Sequence, residues 1–278
     1  MVSGLKKFLD FIKIEHTVFD LPFAYAGVLL SGIITWKIII LVTIAGITAR
    51  VSGFAMNRII DLPLDRLNPR TKKRALVTGE ITMKQAYIIL LISSSIFIIS
   101  AFMLNIFAGI LSPLILFLFY LYPKTKKIPV VSHIFLGISI ALIVLAGYVA
   151  STAEIPYDIN LYLIMIFVAF WIGGFDIIYQ YQDYLFDKKM GIKSIPVLVN
   201  GKIVLPTFIF YTISLIPLYI FSLKSSIFLI LTSIIAFLLY FRLLYVYKFD
   251  VDKLFKLFDS PVPFILITMV ILYYFHIF

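Results

Sequence analysis

The chain has 278 residues, of which 62% are hydrophobic, 17% aromatic and only 14% charged. Soluble domains run nearer half apolar and a quarter charged, so an ordinary globular composition is excluded. The net charge of +10 does not point to nucleic acid, because in so apolar a chain Lys and Arg report the orientation of membrane spans.

The opening segment, "MVSGLKKFLDFIKIEH" (1–16), is amphipathic, with Leu5, Phe8, Leu9 and Ile12 on one face and Lys6, Lys7, Asp10 and Lys13 around the other. It reads as a helix lying in the membrane interface rather than as a cleavable signal peptide. Nine apolar runs long enough to span a bilayer follow, near 17–35, 38–60, 85–104, 106–122, 131–150, 160–182, 203–221, 225–245 and 260–278. The expected fold is therefore all-α and polytopic.

The connections alternate in charge. Those after spans 1, 3, 5 and 7 hold only Lys37 and Lys224, whereas the others carry nearly all remaining basic residues. The positive-inside rule places the even loops and the N-terminus in the cytoplasm and the C-terminus outside. The loops after spans 2 and 6 (61–84 and 183–202) are long and contain Pro, Gly and charged helix-compatible stretches, so ordered cytoplasmic caps are expected.

The first of these loops opens with "NRIIDLPLDRLNPRTKKR". Asn57, Asp61 and Asp65 recur every four residues, which stacks them on one helical face. Pro63 lacks a backbone donor and should unwind the chain, leaving Asp65 at the start of the loop. Carboxylates aligned beside a low-dielectric membrane need compensation, and a hard divalent cation such as Mg²⁺ supplies it. A second stripe lies in "FDIIYQYQDYLFDKK", where Asp176, Asp183 and Asp187 fall at i, i+7 and i+11 beside Tyr179 and Gln180.

Arg50 lies inside span 2, seven residues before Asn57, and must find a partner; Asp176 is the candidate. There are no cysteines, which excludes disulfides and thiol catalysis. His16, His133 and His276 are too widely spaced to suggest a metal–histidine site.

These motifs, with "YPKTKK" and "FIKIEHTVFDLPFAYAG", resemble the UbiA superfamily of intramembrane prenyltransferases along essentially the whole chain. Its N-x-x-x-D-x-x-x-D motif is met by Asn57, Asp61 and Asp65. Its D-x-x-x-D motif with an upstream Asp or Tyr is met by Asp176, Tyr179, Asp183 and Asp187, and its YP-x-x-K element by Tyr122, Pro123 and Lys126. The resemblance implies one domain over 1–278, with nine transmembrane helices around a central cavity under cytoplasmic cap loops. It also implies two Mg²⁺ ions, with Asp61, Asp65, Asp183 and Asp187 as ligands supported by Asn57. Arg70 and Lys126 would then bind diphosphate, Tyr122 and Tyr179 would shield an allylic cation, and Asp176 would position the acceptor through Arg50.

Within the superfamily, "WIGGFDIIYQYQD" and "FDKKMGIKSIP" look most like 4-hydroxybenzoate and menaquinone-pathway polyprenyltransferases. The implied partners are a prenyl diphosphate, a small aromatic acceptor and the bilayer. A futalosine-pathway acceptor, a glycerol-phosphate lipid or haem stay open as alternatives, as do tail length and oligomeric state. Two rivals come from outside. A secondary transporter carries its ionisable residues near the bilayer midplane, whereas these acids lie at span ends. A CDP-alcohol phosphatidyltransferase needs a D-G-x-x-A-R element absent from the acidic regions.

Overall fold

The computed structural model describes residues 9, 11, 12, 14–125, 128 and 130–277. Among them there is no strand. Most of the expected N-terminal interfacial helix, together with Lys126 and Lys127, lies outside the described residues. Eight helices are long and apolar enough to cross a membrane, and a ninth, α1 (Ile14–Leu30), carries a shorter apolar stretch, Val18–Leu30. The chain is a multi-pass membrane protein. It forms two compact units whose boundary first falls within α1, between Leu21 and Pro22.

The first unit comprises residues up to Leu21 and Thr35–Lys124. Its helices are α2 (Trp36–Leu67), the one-turn α3 (Ala75–Thr78), α4 (Met83–Leu104) and α5 (Ile106–Thr125). Thr35 caps α2 by accepting from the Ile38 amide. Thr82 and Gln85 form a capping box that starts α4, as the T-x-x-Q spacing allows. Phe11 and Ile12 are buried with Val51, Ala55, Leu62, Leu76, Ile81 and Ala86, so the start of the chain contributes to this core. Ser52 and Ser93 share a 2.8 Å hydrogen bond between α2 and α4. Small hydroxyls let two helices approach where apolar burial gives no drive within lipid. Leu91 and Phe102 point outward from α4. In water such residues would be a liability; in a bilayer they are the solvent-facing surface.

Pro63 does not end α2, contrary to the sequence expectation. The helix runs through it to Leu67, and the Asn68 amide closes the last turn onto the Leu64 carbonyl at 3.1 Å. One missing donor is tolerated because the bonds on either side persist. Asp65 thus stays on the same rigid helix as Asp61.

The second unit comprises Pro22–Ile34 and Thr125–Phe278. Its helices are α6 (Val131–Thr152), α7 (Ile159–Tyr181), α8 (Tyr184–Met190), α9 (Ile195–Leu198), α10 (Val204–Ser222) and α11 (Ser226–Leu243). The last span begins earlier than its expected start at 260. It consists of α12 (Val251–Leu254), a π turn at Phe255–Asp259, and α13 (Pro261–Tyr274). Close backbone approach organises the unit. A Cβ on Gly27 would lie 1.9 Å from the Val144 carbonyl oxygen, and one on Gly147 would lie 2.0 Å from that of Ala24. One on Gly137 would lie 2.0 Å from the Ala169 carbonyl oxygen. These three glycines let α1, α6 and α7 pack backbone to backbone.

The loop between α7 and α10 is held by a tyrosine from beyond α11. Tyr247 donates to the Gly201 carbonyl and accepts from the Ile203 amide, both at 2.9 Å. Gly201 sits at φ 79°, in the left-handed region that glycine enters without cost.

Candidate active site

In the first unit, α2 carries Asn57, Asp61 and Asp65 along one face at its C-terminal end. Asp61 is 8% exposed and Asp65 6%. Arg74, which begins α3, reaches back so that its Nη1 lies 2.6 Å from Oδ1 and 2.5 Å from Oδ2 of Asp65. The turn between them is set by Thr71, whose hydroxyl donates to the Asp65 carbonyl at 3.1 Å, and by Asn68, whose Oδ1 accepts from the Arg70 amide at 2.9 Å. The loop therefore returns a cation to the acidic face. Tyr122 lies half-buried near the end of α5.

Arg50 is not the partner of Asp176. Its Nε lies 2.9 Å from Oδ2 of Asp20, and its guanidinium sits 4.7 Å from the centre of the Phe54 ring. Asp20 lies on α1 within the same unit, and an apolar span offers no cheaper way to neutralise an arginine. The signal for this pairing in the sequence is the lone Asp of the first span.

In the second unit the acidic stripe is not one continuous helix. α7 stops at Tyr181, and Asp183, with φ −98° and ψ 2°, caps α8. The Asp183 carbonyl accepts from the Asp187 amide at 2.7 Å, so these two carboxylates keep their one-turn relation on a separate short helix. Asp187 is buried, while Tyr179 and Asp183 are half-buried. Lys188, Lys189 and Lys193 are exposed.

Asp176 stays behind on α7, 4% exposed, with Oδ2 2.8 Å from Nδ1 of the fully buried His133. Gln180 Nε2 donates to the same oxygen at 3.4 Å. Sequence spacing could not find this pair, because its members sit on different helices, 43 residues apart.

A second missed cluster is fully buried. Arg242 Nη1 donates to Asp259 Oδ1 at 2.7 Å and to the Tyr211 hydroxyl at 2.6 Å. Arg242 stands inside the expected span 225–245 and Asp259 one residue before the next, which was the signal for an intramembrane pair.

The family model of the UbiA prenyltransferase family matches residues 21–270, nearly the whole chain. The chain belongs to this family. It is a prenyltransferase. A 4-hydroxybenzoate octaprenyltransferase of Francisella tularensis subsp. mediasiatica is 28% identical over 212 residues, 76% of this chain and 74% of that relative. The apo structure of a UbiA homolog from Aeropyrum pernix K1 superposes with a TM-score of 0.83 at 33% identity, covering 93% of this chain and 98% of the other. A UbiA homolog from Archaeoglobus fulgidus bound to GPP and Mg²⁺ superposes with a TM-score of 0.71 over 95% and 98% of the two chains; at 21% identity that likeness is one of fold.

The donor chemistry of this UbiA chain suits Mg²⁺. Its candidate ligating groups are carboxylate and amide oxygens on adjacent helical turns within each motif, and the sequence offers no thiolate. Among the described residues no three His, Asp or Glu side chains converge to hold a metal by themselves. Mg²⁺ needs no such cage, since it ordinarily takes one or two carboxylates and completes its shell with substrate phosphate and water.

Proposed function

We propose that the chain transfers a polyprenyl group from a prenyl diphosphate to an aromatic acceptor of the 4-hydroxybenzoate type, in respiratory quinone biosynthesis. The observation that carries this reading is the pair of buried carboxylates, Asp61 and Asp65, one turn apart at the end of a membrane-spanning helix in a UbiA-family chain. The name of the Francisella relative supports the acceptor class.

In this reading Asp61, Asp65, Asp183 and Asp187 would hold magnesium, with Asn57 supporting the first pair. Bound Mg²⁺ neutralises the charge that grows on a departing diphosphate. Arg70 and Lys126 bind phosphate oxygens and share that charge. Tyr122 and Tyr179 would shield the allylic cation, since an aromatic face favours a positive charge without offering a nucleophile. Asp176 belongs to the acceptor end. The apolar surroundings exclude water from the cation, so the aromatic ring is the nucleophile that captures it.

The active site and the even loops would face the cytoplasm of the cell membrane, as the distribution of Lys and Arg indicates. The chain has no native cysteine, so single introduced cysteines at 73 and 224 can be scored by membrane-impermeant reagents on either side.

The test is purified protein with Mg²⁺, geranyl diphosphate and a panel of acceptors, read by mass spectrometry. Prenylated 4-hydroxybenzoate is the expected product. Transfer only to a futalosine-type acceptor, to a glycerol-phosphate lipid or to haem would move the chain to another branch of the family. Absence of any transfer under these conditions, with uptake of a solute instead, would favour a transporter.

A further inference from the structure

Removing the ring proton requires a base, and none of the groups assigned above supplies one. We propose that His133, oriented by Asp176, takes the proton from the aromatic acceptor; this rests on the aromatic-acceptor reading. His133 stands in the first turn of α6 and Asp176 near the end of α7. Two glycines bring them together. Gly137, one turn beyond His133, lies against the Ala169 carbonyl oxygen, and Gly173 faces the carbonyl oxygen of His133 itself, 3.3 Å from where its Cβ would be. With the backbones this close, Nδ1 of His133 meets Oδ2 of Asp176 at 2.8 Å.

An ionised carboxylate can only accept, so it fixes the proton on Nδ1 and leaves Nε2 with a lone pair. That Nε2 is fully enclosed and has no hydrogen-bond partner among the described residues. A structural histidine bridging two helices normally satisfies both nitrogens, because a buried unpaired one costs free energy. A carboxylate on one ring nitrogen and an open lone pair on the other is the arrangement of a general base. Gln180 steadies the carboxylate from the next turn of α7.

The step balances without a further reactant. The C–O bond breaks with its electron pair leaving on the diphosphate, and C1 of the resulting allylic cation bonds to the ring carbon. The ring hydrogen passes to Nε2 as a proton, and the C–H pair restores aromaticity. His133 then returns the proton to the released diphosphate.

The experiment uses the full chain with Mg²⁺, geranyl diphosphate and ring-deuterated 4-hydroxybenzoate. His133→Gln should lose about 100-fold or more in kcat, the range of a missing general base. It should also develop a primary isotope effect absent from wild type, because proton removal becomes limiting. KM for geranyl diphosphate should change by no more than about twofold, since donor binding is untouched. Asp176→Asn, which preserves volume, should show the same isotope effect and serves if His133→Gln does not fold. A folded variant with near wild-type turnover, or with slowed turnover and no isotope effect, overturns the proposal while the acceptor reading stands. Wild-type protein that prenylates no aromatic ring overturns both.

Discussion

Arg74 holds both carboxylate oxygens of Asp65 through a single nitrogen, at 2.6 and 2.5 Å. If Asp65 is a magnesium ligand, Arg74 competes with the cation for it. Arg74→Gln should therefore lower the Mg²⁺ concentration that gives half-maximal turnover by severalfold. It should also cost about 1–2 kcal/mol of stability, because the pair is only partly enclosed. A Mg²⁺ titration of turnover beside a thermal melt checks both. A higher Mg²⁺ requirement would instead make Arg74 a helper on the phosphate.

Asp61→Asn and Asp183→Asn each keep the side-chain volume and remove one charge. Turnover should fall by at least about 1000-fold in either, the scale of losing electrostatic stabilisation at a departing group. Melting temperatures should stay within a few degrees of wild type. Full activity in either variant would end the metal-site assignment.

Gly27 and Gly147 are reciprocal, each facing the backbone of the other's helix. Gly27→Leu should force α1 from α6 and destabilise the protein by about 2–4 kcal/mol, at or above the usual cost of overpacking. Gly32→Ala is the control for crowding, because a Cβ there meets nothing within 4 Å, although its φ of 73° carries a small backbone cost. Thermal unfolding in detergent separates the two.

The Arg242–Asp259 pair has no exposed surface. Removing one charge strands the other, so Asp259→Leu should cost about 3–5 kcal/mol. The double variant Arg242→Met with Asp259→Leu should recover most of that loss, since neither charge is left alone. Equal destabilisation of single and double variants would mean that Arg242 has another role.

Most of the spans were readable from the chain because they are long apolar runs between charged loops; six of the observed helices match them to within about three residues, while α2 runs on to Leu67 and the last span begins at Val251. The residues of both acidic motifs were legible for the same kind of reason, as charges at fixed helical spacing. Four features escaped because they depend on packing. Pro63 looked like a stop, but the surrounding turns hold α2 together through it. Asp183 looked continuous with Asp176, yet the chain turns between them at Gln182. Arg50 was matched to Asp176 by its place in the span, whereas Asp20 reaches it from α1. His133 was dismissed on spacing alone, which cannot register a contact made between helices.

The continuity of α2 has a consequence for the lipid substrate. Its 32 residues extend for about 48 Å at the ordinary helical rise, well beyond the roughly 30 Å of a hydrocarbon core. With that surplus at its C-terminal end, Asp61 and Asp65 would stand among the phosphates of the surrounding lipids. A diphosphate bound there would lie at the depth of any phospholipid headgroup, with its isoprenoid tail already in oil. An amphiphile could then arrive by lateral diffusion in one leaflet, with neither end changing its solvent.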